Sequence, residues 1–179
     1  PDDLTIECNG ATSNETSATT WNNNNITKLQ NCASDNCGSA TVTSNYSFNN
    51  LTDLCGLTGV LTVTYTVTDQ CNLSITRTAK LTIRDITPPT VICKDITIQL
   101  DGTGNASITP NMVLNSTSDV CSVSPPTLVS VVPSTFSRNQ CGTTVPVTLT
   151  VRDECGNTST CVAHVKVECF DLALKKTLA

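Results

Sequence analysis

Charge, aromatic rings and histidine are all scarce in this chain of 179 residues. Charged side chains make up 14% and aromatics 3%, with a formal charge of −5, so the basic footprint and the base-stacking platforms of nucleic-acid binding are missing. The single histidine, His164, lies in an alternating strand pattern and reads as an ordinary strand residue. No nucleophile elbow accompanies it, so no Ser/His/Asp triad can be assembled. No long apolar run exists to span a membrane, and no signal peptide is visible. Helix signals are nearly absent. The one candidate stretch, Thr19–Leu29 with Trp21, Ile26 and Leu29, is interrupted by an asparagine run and is expected to be a loop with about one turn. Trp21 is expected to anchor that loop or the core.

What the chain has in excess is cysteine, eleven of them. So many thiols point to an oxidising location, outside the cell or on its surface. Zinc is a poor alternative: Cys32-x4-Cys37 and Cys155-x5-Cys161 lack the following knuckle of cysteine or histidine. The chain starts at Pro1-Asp2-Asp3 and ends at Leu178-Ala179, and reads as an excised piece of something longer.

The cysteines mark an internal repeat. Thr-Val-Thr-Asp-Gln-Cys-Asn at Thr66–Asn72 returns as Thr-Val-Arg-Asp-Glu-Cys-Gly-Asn at Thr150–Asn157, and Ser-Asp-Asn-Cys at Ser34–Cys37 returns as Ser-Asp-Val-Cys at Ser118–Cys121. In both copies the second cysteine follows the first by 34 residues, and Asp69 and Asp153 are 84 apart. A spaced pair of motifs at one offset is one structural unit used twice. The expected modules are residues 1–86 and 87–169, divided at Arg84-Asp85-Ile86-Thr87-Pro88-Pro89, whose prolines stiffen the link and stop a strand. Residues 170–179 read as the start of a following repeat or a disordered tail.

Strand patterning is strong. Val60–Thr68 alternates apolar residues with threonine, as do Thr78–Ile83, Val145–Val151 and Cys161–Val167. Val63, Tyr65 and Val67 are expected on one inward face, or else the alternate set, and Val147, Leu149 and Val151 on another. Ile96–Leu100, the Asp101-Gly102-Thr103-Gly104-Asn105 turn and Ala106–Thr109 read as strand, turn, strand. The expected fold is all-β: two tandem immunoglobulin-like β-sandwich modules, reinforced by disulfides, each ending in its last hairpin.

The motif set resembles hyalin-repeat-like (HYR-like) immunoglobulin-fold modules. The resemblance is carried by Asp85-Ile-Thr-Pro-Pro89, Ser34-Asp-Asn-Cys-Gly38, Thr68-Asp-Gln-Cys-Asn72 and Ile98-Gln-Leu-Asp-Gly-Thr-Gly-Asn-Ala106. It covers roughly Leu4–Val167. Such modules are strung in tandem in large surface adhesins of Bacteroidota, including gliding-motility-type substrates of type IX secretion. The resemblance implies a non-enzymatic stalk or adhesion role with neighbouring repeats of the same chain as partners, and names no surface or glycan ligand. The alternative is a carbohydrate-binding accessory module of a secreted enzyme, which would need a planar row of exposed aromatics. Only Trp21, Tyr46, Phe48, Tyr65, Phe136 and Phe170 exist to build one.

Six cysteines in the second module permit 15 pairings. Within the sandwich fold so implied, one arrangement joins Cys8–Cys55, Cys37–Cys71, Cys93–Cys161, Cys121–Cys155 and Cys141–Cys169, leaving Cys32 unpaired and every bridge inside its own module. A rival joins Cys121 to Cys141 and leaves Cys155 without a near partner. The acidic residues Asp85, Asp119 and Asp153 fit two chemistries. As oxygen donors at a module junction they are a candidate calcium set; as turn residues they cap their own backbone. Asp35 and Asp69 form the matching set in the first module. Eight Asn-x-Ser/Thr sequons, at Asn14, Asn25, Asn45, Asn50, Asn72, Asn105, Asn115 and Asn157, would be mostly bare in a bacterial protein.

Overall fold

A computed structural model describes residues 1–33 and 38–170. Strands dominate, in two tandem compact units. The first comprises Pro1–Thr87 together with Val120–Ser124, and the second Pro88–Asp119 with the chain from Pro125 onward. The first unit thus contains five residues that the sequence repeat assigns to the second module.

In the first unit, β1 (Leu4–Glu7), β2 (Thr41–Ser44), β3 (Thr52–Asp53), β4 (Gly59–Thr68) and β5 (Ser74–Arg84) form one sheet, in the order β1-β5-β4-β2 with β3 also on β4. The β4–β5 hairpin is the expected one, with Val63 opposite Ala79 and Tyr65 opposite Arg77. Period-two alternation sends Leu61, Val63, Tyr65, Ala79, Leu81 and Ile83 to a buried face. Thr62, Thr76 and Thr78 are exposed on the other. Val67, near the hairpin tip, is only half-buried.

That buried face is covered by a helix, α1 (Ala11–Cys32), in the position where a sandwich would place a second sheet. The expectation of a loop over residues 19–29 is therefore corrected. The buried positions Asn14, Ala18, Trp21, Asn22 and Asn25 recur at helical spacing, so α1 is amphipathic, but three of its five inward residues are asparagine. Each finds a partner. Asn14 Nδ2 donates to the Leu57 carbonyl at 3.1 Å, Asn22 Oδ1 accepts from Ser44 Oγ at 3.1 Å, and Asn25 Oδ1 accepts from the Asp2 amide at 2.7 Å. Buried amides are tolerated when paired. Trp21 stands edge-on to Tyr65 with ring centroids 6.5 Å apart and donates its indole N–H to the Asp2 carbonyl at 2.8 Å.

The second unit is a sandwich. Strands β10 (Thr127–Val132), β12 (Thr144–Arg152), β13 (Thr158–Glu168) and β7 (Ile96–Gln99) form one sheet in that order. Two short ribbons complete it: β6 (Thr90–Cys93) with β9 (Leu114–Ser118), and β8 (Asn105–Ser107) with β11 (Thr135–Ser137). The turn after β7 is present, with the Gly104 amide donating to the Asp101 carbonyl at 2.8 Å, but the strands it joins enter different sheets. Val147, Leu149 and Val151 are fully buried together with Val165, Val167 and Phe136. Burying each such side chain contributes about 1.5–3 kcal/mol.

Candidate functional site

The cysteines and the aspartates are the chemistry-bearing residues. Cys93, at the end of β6, is bonded to Cys161 on β13, with Cα atoms 5.8 Å apart, so this bridge ties the β6–β9 ribbon to the four-stranded sheet beside the core. Cys141 is bonded to Cys169, Cα atoms 5.0 Å apart, and joins the chain just before β12 to the end of β13. Both separations are ordinary for disulfides.

The structure does not bring Cys8 to Cys55, nor Cys121 to Cys155. Cys8 is bonded to Cys121, 113 residues on, with Cα atoms 5.9 Å apart. The expected pairs Cys8–Cys55 and Cys121–Cys155 are therefore corrected, as is the rival Cys121–Cys141, and so is the expectation that every bridge stays inside residues 1–86 or 87–169. The physical reason lies in the segment carrying Cys121. Its carbonyl accepts the Leu57 amide at 2.7 Å, which seats the sulfur in the apolar core of the first unit beside Cys8. Cys55, Cys71 and Cys155 are also disulfide-bonded. Cys37, and with it the expected Cys37–Cys71 bridge, lies outside the described residues. Cys32, the last residue of α1, is a free and exposed thiol.

Asp69, Asp85 and Asp153 close turns. Asp153 is buried, and both of its carboxylate oxygens accept from Asn157, one from the backbone amide at 2.8 Å and one from Nδ2 at 2.9 Å. Asp69 does the same work 84 residues earlier, its Oδ1 accepting the Leu73 amide at 2.9 Å. Asp85 is buried in the first unit and caps the start of the linker, accepting the Thr87 amide at 3.1 Å. Glu7 Oε1 holds the same stretch by accepting the Ile86 amide at 2.8 Å. Asp119 is half-buried in the second unit. Asp35 lies outside the described residues. Asp101 was not singled out by sequence as a site, yet it also closes a turn. Its Oδ1 accepts from the Thr103 hydroxyl at 2.6 Å and from the amides of Thr103 and Asn105 at 2.9 and 3.0 Å. The Thr103 hydroxyl bond, and then the Asn105 amide, hold its carboxyl below the usual carboxylate range. The Asp101-Gly-Thr-Gly-Asn105 motif was the available signal.

His164 is exposed on β13; its backbone amide donates to Asp95 Oδ1 at 2.7 Å, and its Nδ1 lies 3.5 Å from the same oxygen. The aromatic side chains do not form a stacking row: Trp21, Tyr65 and Phe136 are buried, Tyr46 and Phe48 half-buried, and Phe170 exposed. Among the described residues no helix is long and apolar enough to cross a membrane.

No family model and no curated protein matches the chain. Among solved structures it is similar to human protocadherin-24 EC1-2 at 12% identity, over 74% of this chain and 83% of that one, with a TM-score of 0.34. Human mucin-like protocadherin EC1-2 is similar at 16% identity, over 62% and 69%, with a TM-score of 0.34. The PcdhgB3 EC1-4 structure is similar at 16% identity and a TM-score of 0.31; the overlap covers 63% of this chain, which spans 32% of that structure's length. A likeness at these scores and identities assigns neither a family nor a ligand.

Proposed function

We propose that this chain is a non-enzymatic repeat region acting outside the cell, as a load-bearing spacer or adhesion module. The observation that supports it most is the repeated register. Val63 opposite Ala79 becomes Val147 opposite Ala163, and Leu4 beside Leu81 becomes Ile96 beside Val165. One scaffold used twice, with its strands tied by bridges, suits a protein that transmits tension. The disulfides favour an extracellular or cell-surface location. The finer reading, an HYR-like segment of a Bacteroidota surface adhesin with neighbouring repeats as its partners, rests on the motif set alone. The buried positions of Trp21, Tyr65 and Phe136 weigh against a carbohydrate-binding module, which needs such rings at its surface.

Single-molecule pulling on the oxidised chain tests the spacer role. Extension should come in discrete force-resisting steps, and the chain released should be far shorter than after reduction, because Cys8–Cys121, Cys93–Cys161 and Cys141–Cys169 withhold overlapping stretches spanning 113, 68 and 28 residues. Extension without a resisting step would overturn the proposal. Calcium at Asp85, Asp119 and Asp153 is a separate proposal, supported by their carboxylates and opposed by the full engagement of Asp153 with Asn157. Calorimetric titration with calcium decides it: absence of heat leaves these aspartates as turn caps.

A further inference from the structure

Val120–Ser124 follows β9 in sequence, and the residues on either side of it, Asp119 and Pro125, belong to the second unit. Cys121 makes two of its bonds with the first, a disulfide to Cys8 and a hydrogen bond from the Leu57 amide. Cys121 is 1% exposed and Cys8 3%, in one cluster with Leu61 and Leu81. Leu57 is the hub. Its amide donates to the Cys121 carbonyl at 2.7 Å, and its carbonyl accepts from Asn14 Nδ2 at 3.1 Å. Asn14 Nδ2 also lies 3.2 Å from Cys8 Sγ, so the start of α1, the Leu57 turn and the segment around Cys121 share one buried network. A Cβ built on Gly10, just before α1, would meet Val120 Cγ2 at 3.6 Å, so the segment also lies against the entry to the helix.

We propose that Val120–Ser124 is an oxidation-dependent clasp, which completes the first unit only when Cys8 and Cys121 have been joined. The step is a two-electron oxidation: two thiols lose two protons and two electrons and form one S–S bond, while a disulfide oxidant such as oxidised glutathione becomes two thiols. The first unit would then be closed by a residue made after all of Pro1–Thr87 has been synthesised, and only in an oxidising compartment.

The test uses the full chain with Cys8→Ser and Cys121→Ser together, read by hydrogen exchange. Exchange at the Leu57 amide and across Val120–Ser124 should rise by about tenfold or more, while the β12–β13 amides hold. Retained protection at Leu57 would overturn the proposal, because the clasp would then close without its bond. A loss that extends equally to β12–β13 would overturn it too, since the bond would be serving the whole chain. Should the variant fail to fold, refolding of the reduced natural chain in oxidised glutathione gives the answer. Trp21 is the single tryptophan and lies in the first unit, so its native emission should return only as alkylation-trapped Cys8–Cys121 appears. Native emission ahead of that bridge would overturn the proposal.

Discussion

Cys8 and Leu100 hold the same place in their two units. The amide of Cys8 donates to the carbonyl of Arg84 at 2.7 Å, and the amide of Leu100 donates to that of Glu168 at 2.9 Å, each directly after the strand that lies parallel to the last one. Both side chains are buried. The second unit fills this position with a leucine and ties the end of its last strand with Cys141–Cys169. The first has Asp85 at the position matching Cys169, and receives its bridge at Cys8 from Cys121. One scaffold therefore carries two different closures.

Leu149 is the first place to test the core. It is fully buried on β12 between Val131 and Cys161, and its counterpart 84 residues earlier is Tyr65. Leu149→Ala should destabilise the second unit by about 2–5 kcal/mol, from lost transfer energy and the cavity left behind. Denaturant titration followed at the β12–β13 amides measures it, and a change within error would place the side chain on the wrong face.

The hairpins were legible because period-two alternation survives in apolar residues. Val147, Leu149 and Val151 turn inward as expected, whereas on β4 the alternation left the choice of face open and the inward set is Leu61, Val63 and Tyr65, with Val67 half-buried. The repeat offset also carried through to register. Helix α1 was not legible, because the face it buries is largely asparagine, and an apolar-periodicity reading scores Asn14, Asn22 and Asn25 as solvent-facing. Only tertiary partners such as Leu57, Ser44 and Asp2 make those positions interior. The Cys8–Cys121 bridge was hidden for a different reason. Spacing assigns Cys121 to the copy in which it occurs, whereas its segment folds with the other.

Tyr65 gives an alkaline signature. Burial pushes its phenol above the usual value of about 10, against the smaller opposing effect of Asn25 Nδ2, which donates to its oxygen at 3.4 Å. A raised pKa means that the folded state holds the proton longer than the unfolded one. Its contribution is thus complete below pH about 10 and is lost as pH rises toward the folded value. Urea midpoints of a Cys32→Ser background, chosen to suppress thiol exchange, should fall above that pH. Tyr65→Phe should flatten the fall, and an unchanged slope would assign it to other groups.

The Asp101 turn should show the opposite sign. Its lowered pKa makes the turn complete above the unfolded carboxylate value of about 3.9, and the turn is lost as pH falls through the folded value. The amide resonances of Thr103 and Asn105 should move together with a midpoint below about 3.9. Asp101→Ala should abolish that movement; its persistence would mean that another carboxyl is being read.

Trp21 tests whether α1 is held by the sheet or stands by itself. The helix is poor in strong helix formers, and Thr16, Thr20 and Thr27 turn their hydroxyls back to carbonyls four residues earlier, which does little for an isolated helix. Its order must come from the face it buries, where Trp21 supplies the largest side chain and the edge-on contact with Tyr65. Trp21→Ala removes that contact and leaves the Asp2 carbonyl without its indole donor. The cost should be about 3–5 kcal/mol in the first unit, with loss of helical circular dichroism at denaturant concentrations that the natural chain tolerates. A variant that keeps its full helical signal through the same titration would show that α1 draws its stability from the asparagine network alone.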